Sequence, residues 1–154
     1  MATTKALYAS SASITISFNS LTNGSGREST AVDNSSNLYL DAHVRVSAAV
    51  GSVSGGPQVL VYAYGSEDGS LYPDTVTGSD ANISLENPTV IRLATVIPTP
   101  TSSKTYESDV FSIARLYGGV LPRKWGIVVV NQTGATLSGS GNSASYTGIQ
   151  LQAV

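Results

Sequence analysis

The chain of 154 residues contains no cysteine. This absence excludes disulfides, thiolate metal sites and cysteine nucleophiles. A small secreted eukaryotic domain usually carries disulfides, so the absence also argues against that origin. The chain has a single histidine, which excludes a histidine-rich metal site as well.

Charge is also scarce. Charged residues make up 12% of the chain, about half the usual share, and the formal net charge is -2. No stretch is basic enough to follow a phosphate backbone, so we expect no nucleic-acid partner. Little charge combined with many Ser, Thr, Gly and Asn residues is typical of all-β extracellular or viral surfaces.

Long apolar runs are missing. No run approaches the length of a membrane span, so we expect no membrane partner. The first residues, MATTKALYASSASI, lack the apolar centre of a signal peptide. We therefore expect synthesis in a cytoplasm and, if the protein is exported, a route that uses no classical signal.

The most informative stretch is residues 121–137, LPRKWGIVVVNQTGATL. Trp125, Ile127 and Val129 fall on one side of an extended chain, and the residues between them are also apolar or small. This pattern predicts a central strand covered on both faces. The turn residues from Asn131 onwards predict that residues 135–138 return as the hairpin partner of this strand.

Apolar–polar alternation predicts the other strands. They are expected at residues 13–18, 38–46, 59–64, 89–97, 108–114 and 143–151. Two long polar segments, 19–37 and 65–87, have the length of functional or partner-ordered loops. We predict an all-β protein, a single β-sandwich of about seven or eight antiparallel strands over residues 13–154 with jelly-roll or other Greek-key topology. Residues 1–12 are expected to be an N-terminal arm, ordered on a neighbour or flexible.

Core positions follow from the strand faces. In the strand at 38–46, Leu38, Leu40 and the alternating residues that follow them point inward, and Tyr39, Asp41 and His43 point outward. The predicted core therefore contains Leu40, Val44, Trp125, Ile127 and Val129.

The sequence offers candidates for three kinds of chemical site. His43 and Asp41 lie two residues apart on one strand face, as a catalytic dyad requires, but we expect an exposed strand face with a cross-strand partner instead. Carboxylates at Asp68, Asp74 and Asp80 form a weak candidate calcium site. Glu67 and Asp68 could act as a carboxylate pair for glycoside hydrolysis, but the sequence offers no second pair on a facing strand. We expect no catalytic residues, no cofactor and no resident metal.

Tyrosines are the strongest candidates for contacts with a partner. Tyr39, Tyr62, Tyr64 and Tyr72 are predicted as interface residues, since Tyr is favoured at interfaces. The alternative is that these rings, with Trp125, form a flat platform for a sugar.

Three blocks of the chain, AVDNSSNLYLDAHVRV, VLVYAYGSEDGSLYPD and LPRKWGIVVVNQTGATLSGSGN, resemble small structural proteins of tailed bacteriophages. The most distinctive part is Pro122 to Gly134. The resemblance implies a virion component that is made in the host bacterial cytoplasm, either a capsid decoration (cement) protein or a subunit of the tail or neck. It also implies other virion proteins as partners, the major capsid protein above all, and a homo-oligomer such as a trimer.

Two other functions stay open. A carbohydrate-binding or receptor-binding β-sandwich module predicts exposed aromatic rings that bind glycans. A hydrolase requires a nucleophile or a carboxylate pair, and the sequence offers only His43 with Asp41 towards one.

Overall fold

The computed structural model describes residues 3–87 and 90–153. These residues form twelve strands and one short 3-10 helix. The strands are β1 (Thr4–Tyr8), β2 (Ala12–Ser13), β3 (Gly26–Glu28), β4 (Val32–Asp33), β5 (Asp41–Ala49), β6 (Gln58–Ser66), β7 (Ala81–Ile83), β8 (Arg92–Pro98), β9 (Thr105–Glu107), β10 (Phe111–Ser112), β11 (Lys124–Gln132) and β12 (Ser143–Ala153), and the 3-10 helix is Ala114–Tyr117.

The strands build two antiparallel sheets that pack face to face. The first sheet has the order β1-β12-β5-β10, with β2 also on β12 and β9 also on β5. The second has the order β7-β3-β11-β6-β8, with β4 also on β11. β1 pairs with β12 in one sheet, and β3 pairs with β11 in the other. This nesting of early strands against late ones is the jelly-roll arrangement, so the predicted β-sandwich is confirmed.

The main core lies between the sheets. β11 contributes Trp125, Ile127 and Val129, and β5 contributes Val44, each at most 1% exposed. The Trp125 ring meets the Tyr146 ring edge-on, with 5.1 Å between the centroids. This arrangement ties the two sheets together at the predicted central strand.

A second apolar cluster covers the outer face of the second sheet. Its buried members are Tyr64, Val76, Ile83, Ile91 and Val128. Residues 67–87, which we call the covering segment, follow β6 and cross this face. They include the edge strand β7. The predicted burial of β11 on both faces is therefore correct, and much of the cover comes from a segment whose composition is polar.

A buried carboxylate holds the covering segment in place. Glu28 on β3 is 1% exposed. It accepts hydrogen bonds from the Thr77 amide at 2.9 Å, the Thr77 hydroxyl at 2.8 Å and the Gly78 amide at 3.1 Å. These donors replace the water that an ionised carboxylate would otherwise lose on burial.

The prediction that Leu40 belongs to the core is wrong, as is the inward position of Leu38. The strand begins at Asp41, and Leu38 and Leu40 are 71% and 40% exposed. The Asn34 side chain brackets Tyr39, accepting from its amide and donating to its carbonyl at 2.9 Å each. These two bonds make residues 34–40 a turn. The apolar–polar alternation of the sequence therefore includes residues that precede the strand.

The predicted strand at 13–18 is reduced to β2. Ile14 and Phe18 are buried as the alternation indicated, but the chain here crosses between sheets. The Ile14 amide donates to Ala144 on β12, whereas the Thr15 carbonyl accepts from Thr30, which follows β3. A segment that bonds to both sheets in turn cannot form a continuous ladder in either.

Residues 135–138 do not form the hairpin partner of β11. Leu137 makes an isolated bridge to Val50 instead. The Asn131 side chain donates to the carbonyls of Leu21 and Ala135 at 2.8 and 2.7 Å, and these bonds direct the chain away from β11.

Other boundaries also shift. The segment predicted as a strand at 108–114 is β10 followed by the 3-10 helix, and the polar segments 19–37 and 65–87 contain β3, β4 and β7. The strand predicted from Thr89 begins at Arg92, and Thr89 itself lies outside the described residues. Within the predicted arm, residues 4–8 form β1.

Candidate functional site

The first sheet extends past the sandwich as a two-stranded ribbon. β12 pairs with β5 only as far as Ile149, which lies opposite Asp41. It pairs with β1 from Ile149 to Ala153. We call β1 together with residues 150–153 the β1–β12 ribbon. All five residues of β1 are exposed.

Both edges of this ribbon are unpaired in the described part of the chain. The Ala9 amide donates to the Gly148 carbonyl at 2.9 Å. Bonded and non-bonded pairs alternate along an antiparallel ladder, so the backbone groups of Thr4, Ala6 and Tyr8 point away from β12. By the same alternation, the backbone groups of Leu151 point away from β1, where no described strand meets them.

Exposed apolar side chains surround the base of the ribbon. Leu7 lies opposite Gln150. The Leu40 amide donates to Ile149 at 2.7 Å, and the Leu40 carbonyl accepts from Leu121, the neighbour of Val120, at 2.9 Å. We call the exposed residues of this region the apolar end patch: Leu7 (40% exposed), Leu38 (71%), Leu40 (40%) and Val120 (61%).

A depression of about 370 Å³ lies on the outer face of the first sheet. We call it the Tyr8 pocket. Thr147 lies opposite His43 and Ser145 lies opposite Arg45 in the β12–β5 ladder. The Tyr8 ring is 63% exposed and tilted by 60° to the His43 ring, with 6.4 Å between the centroids. The pocket is lined chiefly by Tyr8, Ser11, His43, Arg45, Ser145 and Thr147.

Asp41 and His43 are close, but Asp41 serves the fold. Its carboxylate oxygens lie 2.7 Å from the Ala42 amide, 2.9 Å from the Ala114 amide and 2.7 Å from the Ser112 hydroxyl. His43 Nε2 is 3.4 Å from the same carboxylate. The Ser112 hydroxyl also accepts from the Arg115 amide at 3.0 Å. The carboxylate that would orient His43 therefore anchors the start of the 3-10 helix.

The three candidate calcium ligands are each bound within the protein. Asp68 accepts from the Ser70 and Leu71 amides at 2.8 and 2.9 Å. Hydrogen bonds from Leu71, Ser70 and Ser66, in that order of effect, lower the pKa of Asp68 to about 2. Asp74 accepts from the Glu86 amide at 3.2 Å.

Asp80 forms an ion pair with Arg27, with 2.6 Å between Nε and Oδ1, and accepts from the Ser17 hydroxyl at 2.6 Å. Within residues 3–87 and 90–153, no three acidic or histidine side chains form a group suited to a metal ion. Asp68, Asp74 and Asp80 are thus not brought together as the ligands of one ion among the described residues.

The four tyrosines predicted as an interface do not share a surface. Tyr64 is fully buried, and its hydroxyl donates to the Ser29 carbonyl at 2.6 Å, so its assignment to an interface is wrong. Tyr72 meets Tyr64 edge-on at 5.6 Å, and Tyr62 packs in the same cluster. Tyr39 is half-buried elsewhere, and its ring lies against Gly148. The predicted aromatic platform is thus a set of packing residues.

The sequence reasoning missed Tyr8 and the apolar end patch. Tyr8 lies in a segment taken as an arm, and a strand of five exposed residues has no burial alternation to reveal it. Leu38 and Leu40 were noticed but assigned to the core. A signal was present in Asn34, because an Asn side chain that can bond nearby backbone groups favours a turn at that point.

No helix of the described ranges is both long and apolar enough to cross a membrane. No protein-family model matches the chain, and no curated protein or solved structure matches it either.

Proposed function

We propose that the chain is a non-enzymatic structural protein of a virion, a capsid decoration protein that binds the lattice of the major capsid protein. The observation that carries the proposal is the β1–β12 ribbon, whose two edges have no partner strand among the described residues. The apolar end patch beside it is the surface that a neighbouring subunit would cover.

The ribbon has a physical reason to bind a neighbour. A two-stranded ribbon is marginally stable alone. Its unpaired backbone groups are a template for a strand of another chain, which would satisfy donors and acceptors that now face solvent. The three β1 residues whose backbone groups face the open edge, Thr4, Ala6 and Tyr8, are uncharged, and Lys5 carries the one charge of this strand.

The sandwich itself suits a repeated structural role. A net charge of -2 lets many copies lie side by side with little mutual repulsion. The resemblance of residues 122–134 to small phage structural proteins points the same way. The hydrolase alternative loses support because Asp41 is engaged by the backbone of the 3-10 helix.

Copy number in purified particles is the direct test. Quantitative mass spectrometry would measure this chain against the major capsid protein. A ratio near one, or a simple fraction such as one third, is the expected result. A few dozen copies or fewer would assign the chain to the tail or neck instead. Absence from particles would refute the virion function.

Variants test whether the ribbon and the patch make the contact. Ala6→Pro removes an amide that points away from β12, so the internal ladder stays intact while the outer edge is blocked. Leu40→Lys places a charge in the apolar end patch. We expect each to raise the Kd for the particle about tenfold, the effect of losing about 1.4 kcal/mol of binding.

Matched controls are available for both changes. Ala6→Val keeps the amide, and Leu71→Lys adds the same charge at a leucine that is 78% exposed on the covering segment. Both controls should bind as the unmodified protein does. If Ala6→Pro and Leu40→Lys bind equally well, the contact lies elsewhere on the molecule.

A further inference from the structure

The Tyr8 pocket brings together polar groups that have no partner within the described part of the protein. Arg45 is exposed and takes part in none of the three ion pairs. The hydroxyls of Ser11, Ser145 and Thr147 make no hydrogen bond to another described residue. All four groups line the same depression beside an exposed tyrosine ring.

The ladder register fixes how these groups are arranged. His43 and Arg45 are alternate residues of β5, so both point to the outer face. Thr147 and Ser145 lie directly opposite them on β12, where facing side chains are about 5 Å apart. Tyr8 stands at one side of this floor, and Val110 lines the depression as well. The groups are held by three paired strands, and the floor is therefore rigid.

Each group indicates the chemistry of a ligand. An exposed flat ring offers an apolar face for stacking. Hydroxyls donate and accept hydrogen bonds, and an unpaired guanidinium binds a carboxylate through two parallel bonds. A volume of about 370 Å³ lies in the range of about 300–1,000 Å³ that small-molecule sites occupy.

No acidic side chain forms an ion pair with Arg45 among the described residues. Asp41 precedes His43 by two residues and shares its face of the strand. Its carboxylate accepts hydrogen bonds from Ala42, Ser112 and Ala114. Asp109 next to Val110 accepts a bond from the Val110 amide at 2.7 Å and forms no ion pair with Arg45. Glu107 lies opposite Ser47 on the neighbouring strand β9 and is likewise in no ion pair with Arg45 among the described residues, so the Arg45 guanidinium is open to a ligand carboxylate.

We propose that the Tyr8 pocket binds a sugar that carries a carboxylate, with its ring face on Tyr8, its carboxylate on Arg45 and its hydroxyls on Ser145 and Thr147. This site goes beyond the proposed assembly function. It shares Tyr8 with the β1–β12 ribbon, but its other groups lie on β5, on β12 and at Ser11 and Val110, outside the ribbon and the apolar end patch.

The test is a titration of the full-length, isotope-labelled protein followed by amide NMR. The probes are glucuronate, which has both the ring and the charge, glucose, which lacks the charge, and acetate, which lacks the ring. Glucuronate should shift the amides of Tyr8, Ser145 and Thr147 and saturate in the millimolar range, as expected of a single sugar unit. Glucose and acetate should bind about tenfold more weakly, because each loses about 1.4 kcal/mol of interaction.

Substitutions separate the two contacts. Arg45→Gln should lower glucuronate affinity about tenfold and leave glucose affinity unchanged, whereas Arg123→Gln, at an exposed arginine outside the pocket, should change neither. Tyr8→Ala should weaken binding of both sugars, and Tyr8→Phe should preserve it. Unchanged amide spectra away from the pocket establish that each variant is folded.

Two results would overturn the proposal. One is the absence of saturable shifts at these amides up to about 50 mM glucuronate, a concentration that would reveal any binding with a Kd tighter than about 50 mM. The other is a glucuronate affinity that survives Arg45→Gln, which would remove the carboxylate from the assignment.

Discussion

Removing the charge of Glu28 should loosen the covering segment. Glu28 is buried, and its carboxylate accepts two bonds from Thr77 and one from Gly78. A hydrogen bond to a charged group contributes about 1.5–3 kcal/mol, and a neutral one about 0.5–1.5. Glu28→Gln keeps the shape of the side chain but makes these bonds neutral and turns one acceptor into a donor. We expect it to lower the free energy of unfolding by about 1–3 kcal/mol.

The solvent access of the three donor groups limits how much stability Glu28→Gln can cost. Thr77 is exposed and Gly78 half-exposed, so water can replace part of what the carboxylate supplied. Urea unfolding followed by Trp125 fluorescence would measure the loss. In a protein of this size, 1 kcal/mol corresponds to about 2–4 °C in Tm. Amide exchange should rise at Ala31, whose amide donates to the Gly78 carbonyl at 2.9 Å, and at Thr77 and Gly78 themselves.

Glu107→Gln is the matched control, because Glu107 is exposed on β9 and an exposed substitution of this kind changes stability by no more than about 0.5 kcal/mol. Equal unfolding free energies for Glu28→Gln and Glu107→Gln would refute the reasoning. So would a destabilised Glu28→Gln whose exchange at Thr77 and Gly78 is unchanged, since the loss would then arise elsewhere.

Two further predictions concern close packing and pH. A Cβ at Gly126 would meet the fully buried Tyr64 hydroxyl and the Ser29 hydroxyl, whereas one at Gly148 would meet the half-buried Tyr39 ring. Gly126→Ala should therefore cost about 3 kcal/mol and Gly148→Ala about 1 kcal/mol in urea unfolding, and the reverse order would contradict the packing. Burial raises the pKa of Asp80, but hydrogen bonds from Arg27 and Ser17 outweigh it and leave the pKa below the ordinary value of 3.8. The contribution of the Asp80 carboxylate to stability is thus present above about pH 4 and lost as the pH falls through the lowered pKa. The stability gap between the unmodified protein and Asp80→Asn should therefore be wider at pH 6 than at pH 3. A gap independent of pH would count against the ion pair.

The long strands were predictable because the burial of their side chains follows the two-residue period of an extended chain. β11 is covered on both faces, and β5 and β6 bury alternate residues, so local sequence carried the information. The prediction of buried side chains failed at Leu38 and Leu40. The alternation extends to these residues, but the Asn34 side chain holds them in a turn. Local pattern reports which residues prefer burial, but it does not report where a side-chain bond ends the strand.

The short strands and the candidate site were not predictable in this way. β3, β4 and β7 have two or three residues each, and their places are set by partners far along the chain. The Tyr8 pocket draws on β1, β5 and β12, so its residues are separated by as many as 139 positions, from Tyr8 to Thr147. The sequence indicated His43 as a candidate beside Asp41, the nearest acidic residue along the chain, whereas Tyr8 and Thr147 become its neighbours only after folding.

The pairing of β1 with β12 sets an order of events during synthesis. Thr4 lies opposite Ala153, so β1 must wait until β12 has been synthesised before it has a partner. The second sheet needs only residues up to β11 and can form earlier. Contacts between such distant residues close large loops and form slowly, so β1 stays unpaired while the strands between it and β12 are made, and the first sheet is completed after the second.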